Sequence, residues 1–181
     1  MANKKVLFFM SGSIAGFKAC QVISDLKKLN ADVQVVASPS TFEFVGKASL
    51  EGLSGRPVIS CLFEEGKMMD HIHFMRWADI FVVCPATANT LNQFATGSGD
   101  SLLTTFFLAY DFKKPFLVFP AMNTSMYEHP VTQRSIGQLK EMGLQVFATN
   151  EGILACGEVG SGRMLEAFEI TKLVEGNWGK S

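Results

Sequence analysis

Near the C-terminus the chain reads Leu154-Ala155-Cys156-Gly157-Glu158-Val159-Gly160-Ser161-Gly162-Arg163-Met164, a thiol and a guanidinium bracketing three glycines. Glycines at this spacing suit a phosphate cradle, the thiol suits cysteine chemistry, and a plain surface loop has the same composition. A second stretch, His71-Ile72-His73-Phe74-Met75-Arg76-Trp77-Ala78-Asp79, offers an imidazole that titrates near neutral pH. His71 can therefore serve as a general base, although a core or surface histidine has the same appearance. Asn89 and Asn123 each follow an apolar run. An amide there reads a carboxylate or another amide, or it caps a helix. His71 and His73 form the closest pairing of potential zinc ligands, too few for a clustered site, so no metal is expected.

The elements that position these groups alternate. Val6–Met10, Val33–Ala37, Ile80–Cys84 and Phe116–Phe119 are short apolar runs of the kind buried on both faces of a sheet, and Gln145–Phe147 is a last short strand. Ala19, Val22, Ile23, Leu26 and Leu29 recur at helical spacing, and helices are predicted near Thr87–Phe94, Leu102–Tyr110 and Thr132–Met142. Residues 52–70 show neither pattern. Strand–helix alternation implies an α/β fold with three layers, α/β/α, around a mostly parallel sheet. Ligands of such sheets sit beyond the carboxyl ends of the strands. That rule selects Ser11–Gly16, Ser38–Thr41, Pro85–Asn89 and Pro120–Met126, all rich in small or hydroxylated residues.

The first of these loops is not GxGxxG, and the second offers hydroxyls where a nicotinamide site wants a carboxylate. Hydroxyls suit a phosphate or a ribityl chain, so a mononucleotide such as FMN fits better than NAD. The 181 residues, 48% hydrophobic and 18% charged, make one domain with a sizeable core. With 16 basic and 17 acidic side chains and no basic block, nucleic acid is not an expected partner. The 16 Phe and 9 Met suggest apolar surface buried between subunits. Cys20, Cys61, Cys84 and Cys156 are not spaced as CxxC and read as reduced, cytosolic thiols. The N-terminal apolar run is too short for a signal peptide or a membrane span.

Taken together, "SGSIAGFK", "HIHFMRWAD", "PATANT", "PAMNTSMY" and "ACGEVGSGRM" resemble, in order and spacing, the homo-oligomeric flavin-containing cysteine decarboxylases. The resemblance covers almost the whole chain and points to the branch that acts in coenzyme A synthesis. It implies a Rossmann-like flavoprotein over residues 1–181, a flap at about 151–166, FMN at a subunit interface, and a trimer or dodecamer of trimers in the cytoplasm. It places FMN against Gly12, Ser13 and Ile14, then Ser38 and Ser40, then Thr87, Ala88, Asn89 and Thr90, and finally Ala121. It makes His71 catalytic, gives Asn123 the substrate carboxylate with Met126 in the same motif, and puts Cys156 on the flap with Arg163 helping to hold it. The flap glycines then read as hinges.

The implied reaction converts 4'-phosphopantothenoylcysteine to 4'-phosphopantetheine. The substrate thiol is oxidised to a thioaldehyde, whose C=S group accepts the electrons left when carbon dioxide departs. The enethiolate so formed is then reduced, with a thiol proton donor. A thiol of ordinary pKa, ~8.5, is mostly protonated at neutral pH, so Cys156 suits that task. Relatives that lack the Ala-Cys-Gly motif oxidise peptidyl cysteines and release the enethiol, and a non-catalytic FMN-binding regulator is a further alternative. Departures from the family pattern are Tyr127 for Trp, Thr41 for Ala, and Leu165 and Ala167 in the run after Arg163. The synthetase domain often fused to such proteins is expected on another polypeptide.

Overall fold

The computed structural model describes residues 3–155 and 157–178. Strand β1 (Lys5–Met10) leads into α1 (Gly16–Lys28), β2 (Asp32–Ala37), a 3-10 turn (Pro39–Glu43), α2 (Lys47–Ser54) and α3 (Asp70–Trp77). Then come β3 (Ile80–Ala86), α4 (Ala88–Thr96), α5 (Leu102–Leu108), β4 (Phe116–Pro120), α6 (Thr124–Glu128), α7 (Pro130–Glu141) and β5 (Gln145–Val146). A hairpin, β6 (Asn150–Ile153) and β7 (Val159–Arg163), precedes α8 (Ala167–Gly176).

Five parallel strands form the main sheet in the order β2-β1-β3-β4-β5. The period-two geometry of β1 divides its side chains between two cores. Val6, Phe8 and Met10 face α1, α2 and α8, whereas Leu7 and Phe9 face α3, α4, α5 and α7. This double burial explains why the strands are apolar without alternation. On α1, Ala19, Val22, Ile23 and Leu26 are buried and form the expected stripe. The second core is aromatic: Phe9 meets Phe106 edge-on at 5.8 Å, and Phe94 stacks on Phe107 at 4.3 Å.

The chain turns outward from β1 to β2 and then crosses to β3 on the other side of β1. The crevice between β1 and β3 is therefore the topological switch point, where open α/β sheets bind ligands. The three-layer expectation holds, and each predicted strand and helix is present. Three features depart from it. The unassigned stretch contains the end of α2, a left-handed Gly55 with φ +74°, and an irregular segment tied to the sheet by an Ile59–Val36 bridge. Helices α2, α3, α6 and α8 carried no assignment. Beyond β5, the flap region folds into an antiparallel hairpin of its own.

Phe106 is fully buried, so Phe106→Ala should cost about 3–5 kcal/mol through lost burial and a residual cavity. Urea unfolding measures this, and a loss below about 1 kcal/mol would refute the assigned packing.

Candidate functional site

Ser11 opens the first loop and is buried. Its Oγ donates to the Pro85 carbonyl (2.8 Å) and accepts the Thr87 amide (3.1 Å). The turns after β1 and β3 are thus joined across the switch point. Gly12 follows because the backbone passes against Ser40; a Cβ there would lie within 2.7 Å of the Ser40 side chain. Ser13 and Ala15 set up the start of α1, with the Ala15 amide donating to Ser13 Oγ (3.2 Å).

The second loop carries a chain of hydroxyls. Thr41 donates to the Met10 carbonyl (2.9 Å), Ser38 meets Thr41 at 3.1 Å, and Ser40 meets Ser38 at 3.0 Å. Ser38 and Ser40 share a cavity of about 300 Å³ with Ser11, Thr87, Asn89 and Thr90. Thr87, not Asn89, caps α4, accepting the Thr90 amide, while Asn89 lies exposed in the helix's first turn. Ala88 and Thr90 are buried beneath it. These hydroxyls and the close Gly12 backbone suit a phosphate and a polyol chain. No carboxylate at the end of β2 competes with them.

A larger cavity, about 630 Å³, lies on the other side of the first loop. Ser13 and Ile14 line it from the first turn, Ala121 and Asn123 from the loop after β4, and Ile153, Ala155 and Arg163 from the hairpin. Its walls are mostly apolar, which suits a planar aromatic ring. Asn123 Oδ1 accepts the Met126 amide (2.9 Å) and caps α6. With the oxygen so engaged, the NH₂ end has no partner among the described residues. The capping and binding readings of Asn123 are therefore compatible. Met126 is exposed and lines neither cavity.

The hairpin is docked on that same loop. Met122 donates from its amide to the Gly162 carbonyl (3.0 Å), and Thr124 Oγ1 donates to the Ser161 carbonyl (2.9 Å). Ser161 Oγ reaches Glu128 at 2.9 Å. Gly162, at φ +107°, has the Met122 and Asn123 carbonyls where a Cβ would project. Gly160 likewise faces Thr124. Two of the three glycines between Cys156 and Arg163 thus permit close packing, unlike the hinges expected of them; Gly157 lies in the turn. Cys156 lies outside the described residues.

Glu166 joins the hairpin's end to α1. Its carboxylate accepts from Lys18 Nζ and from Arg163, each at 2.8 Å, and Lys18 also donates to the Met164 carbonyl (3.2 Å). The Lys18 hydrogen bond, more than any other influence, holds the Glu166 carboxyl below the usual glutamate range. Lys18, missed as a site residue, stood out in one respect: a charge beside the apolar stripe of α1. Ser11 was legible as the start of the first ligand loop, but not as the group that joins it to the turn after β3. His71 lines neither cavity; its ring lies edge-on to Phe106 at 6.3 Å, and its Nδ1 is buried without a partner among the described residues. Cys84 is fully buried, and burial pushes its thiol up, which suppresses reactivity. Cys20 is half-buried and Cys61 exposed. No helix among the described residues is long and apolar enough to cross a membrane.

Gly162→Ala should unseat the hairpin and leave both cores intact. Limited proteolysis within residues 150–163 is expected to accelerate about tenfold or more, with little change in global unfolding. An unchanged cleavage rate would contradict the docking argument.

Comparison with known proteins agrees with this geometry. The sequence profile of the family described as Flavoprotein matches residues 1–179. The Coenzyme A biosynthesis bifunctional protein CoaBC of Vibrio vulnificus is 40% identical over 97% of this chain, which spans 44% of that protein. The chain thus covers less than half the length of such relatives. A probable phosphopantothenoylcysteine decarboxylase of Streptococcus mutans is 38% identical over 96% of this chain and 98% of its own length. The solved structure of a PPC decarboxylase mutant complexed with pantothenoylaminoethenethiol superposes with a TM-score of 0.85 at 34% identity, covering 97% of this chain and 98% of that one. The chain belongs to the Flavoprotein family and, within it, to the flavin-containing cysteine decarboxylases that its motifs resemble.

Proposed function

We propose that this protein is the FMN-dependent decarboxylase that converts 4'-phosphopantothenoylcysteine to 4'-phosphopantetheine in coenzyme A synthesis. The observation that carries the reading is the pair of cavities flanking one loop. Ser11 stands in the hydroxyl-lined cavity, and Ser13 and Ile14 stand in the apolar one. Ser38, Ser40, Thr87, Ala88, Asn89 and Thr90 would hold the phosphate and ribityl chain of FMN. Gly12, Ser13, Ile14 and Ala121 would bound its ring. Bound FMN supplies the two-electron acceptor and donor that cysteine decarboxylation needs and side chains lack.

The chain's own residues do the rest. Asn123, held by its bond to the Met126 amide, presents NH₂ donors to the substrate carboxylate and so fixes the bond to be broken. Apolar walls exclude water from the departing carboxylate. Met126 completes the rigid turn through its amide, with its side chain turned to the surface. The hairpin covers the substrate, and Arg163 secures its end through Glu166. Cys156 follows Ala155, which lines the cavity, and it returns the proton that completes the saturated product.

His71 lies off both cavities of its own subunit, so its service as base or substrate orienter calls for a second copy. Exposed Ile14 and Phe17 at the cavity mouth, 59% and 64% accessible, supply apolar surface for such a contact. Accordingly, the active form is a homotrimer or a higher assembly of trimers, working in the cytoplasm on a small-molecule substrate.

Anaerobic incubation with 4'-phosphopantothenoylcysteine should give many turnovers of 4'-phosphopantetheine per flavin. Product capped at one equivalent of an enethiol would contradict the proposal and favour the peptidyl-cysteine type. Cys156→Ser should accumulate the enethiol and retain FMN; undiminished formation of the saturated product would remove Cys156 from the mechanism.

A further inference from the structure

The larger cavity carries more positive charge than the reaction scheme uses. Lys18 and Arg163 are the charged side chains in its wall among the described residues, and both lean on the single carboxylate of Glu166. Both cations line the cavity, whereas Glu166 and Glu169, the carboxylates behind them, do not. The Lys18 side chain is only 12% exposed, so water screens it poorly. Its ammonium has three donors, of which the Met164 carbonyl and Glu166 take two. The third remains for a ligand.

We infer that the Lys18–Glu166–Arg163 group sets the reduction potential of the bound flavin, raising it by favouring the anionic reduced form. The inference rests on the proposed FMN site, with the flavin ring in the apolar cavity. Oxidation of a thiol to a thioaldehyde is demanding, and a higher potential helps the flavin accept those electrons. Glu166 acts through the two cations and is a positioning residue; Lys18 supplies the field. A cavity of this volume is about 10 Å across, so removing one charge should change the ratio of reduced to oxidised flavin affinity about tenfold. For a two-electron couple that is about 30 mV.

The test is a redox titration of the FMN-loaded protein, read by flavin absorbance without substrate. Lys18→Gln should lower the midpoint potential and Glu166→Gln should raise it, while Lys18→Arg should stay near wild type. Opposite signs separate a field effect from a loosened hairpin, which would move both variants alike. Equal potentials, or shifts of one sign in both glutamine variants, would overturn the inference. Wild-type protein that takes up no FMN would instead overturn the cofactor assignment beneath it.

Discussion

The Ser11 hydroxyl donates to the Pro85 carbonyl and accepts the Thr87 amide, so the turns after β1 and β3 cannot move independently. Everything at the switch point is referred to this junction. Gly12 can press against Ser40 because Ser11 fixes where the first turn leaves the sheet. Thr87 can cap α4 because its own amide is already held. Ser11 lines one cavity and Ser13 and Ile14 the other, which is the arrangement a long, jointed cofactor with a polar tail and a flat head requires. Ser11 and Pro85 are buried, where an unpaired hydroxyl or carbonyl would be costly, so that half of the junction is enforced by desolvation as well as by bonding.

The hairpin is held differently. Its two strands bury little, and its cohesion comes from docking onto the loop after β4. Glycines allow backbone to lie on backbone, and Thr124 and Glu128 take up Ser161. Its far end is tied by Glu166 to α1 and, through the Glu166–Glu169 capping box, to α8. The same segment therefore closes one cavity, carries Ala155 to its edge and delivers Arg163 to its wall. The proposed substrate cover and the charges on the cavity wall thus belong to one piece of chain.

The sheet was legible in the sequence because its strands are buried on both faces, and continuous runs such as Ile80–Cys84 admit few other readings. The four loops were legible because topology, once known, dictates which strand ends face ligand. The hairpin was not. Val159–Arg163 is glycine-rich and half-exposed; it is a strand by pairing with β6, and it is held in place by docking on Thr124, neither of which local periodicity records. Asn123 had two readings, cap and ligand donor, and the structure accommodates both because the two ends of an amide do different work. His71 shows the limit of reading one chain: its motif was plain, yet it lies off both cavities, and only the proposed second subunit would give it a place at one.

The central claim is that the hydroxyl-lined cavity and the apolar cavity together hold one FMN. Equilibrium titration of flavin-free protein with FMN and with riboflavin, followed by quenching of flavin fluorescence, tests it most directly. The account predicts that FMN binds at least tenfold more tightly, and that a Ser38→Ala/Ser40→Ala double variant loses most of that advantage while still binding riboflavin. Equal affinity for the two flavins, or a double variant that discriminates as well as the parent, would contradict it.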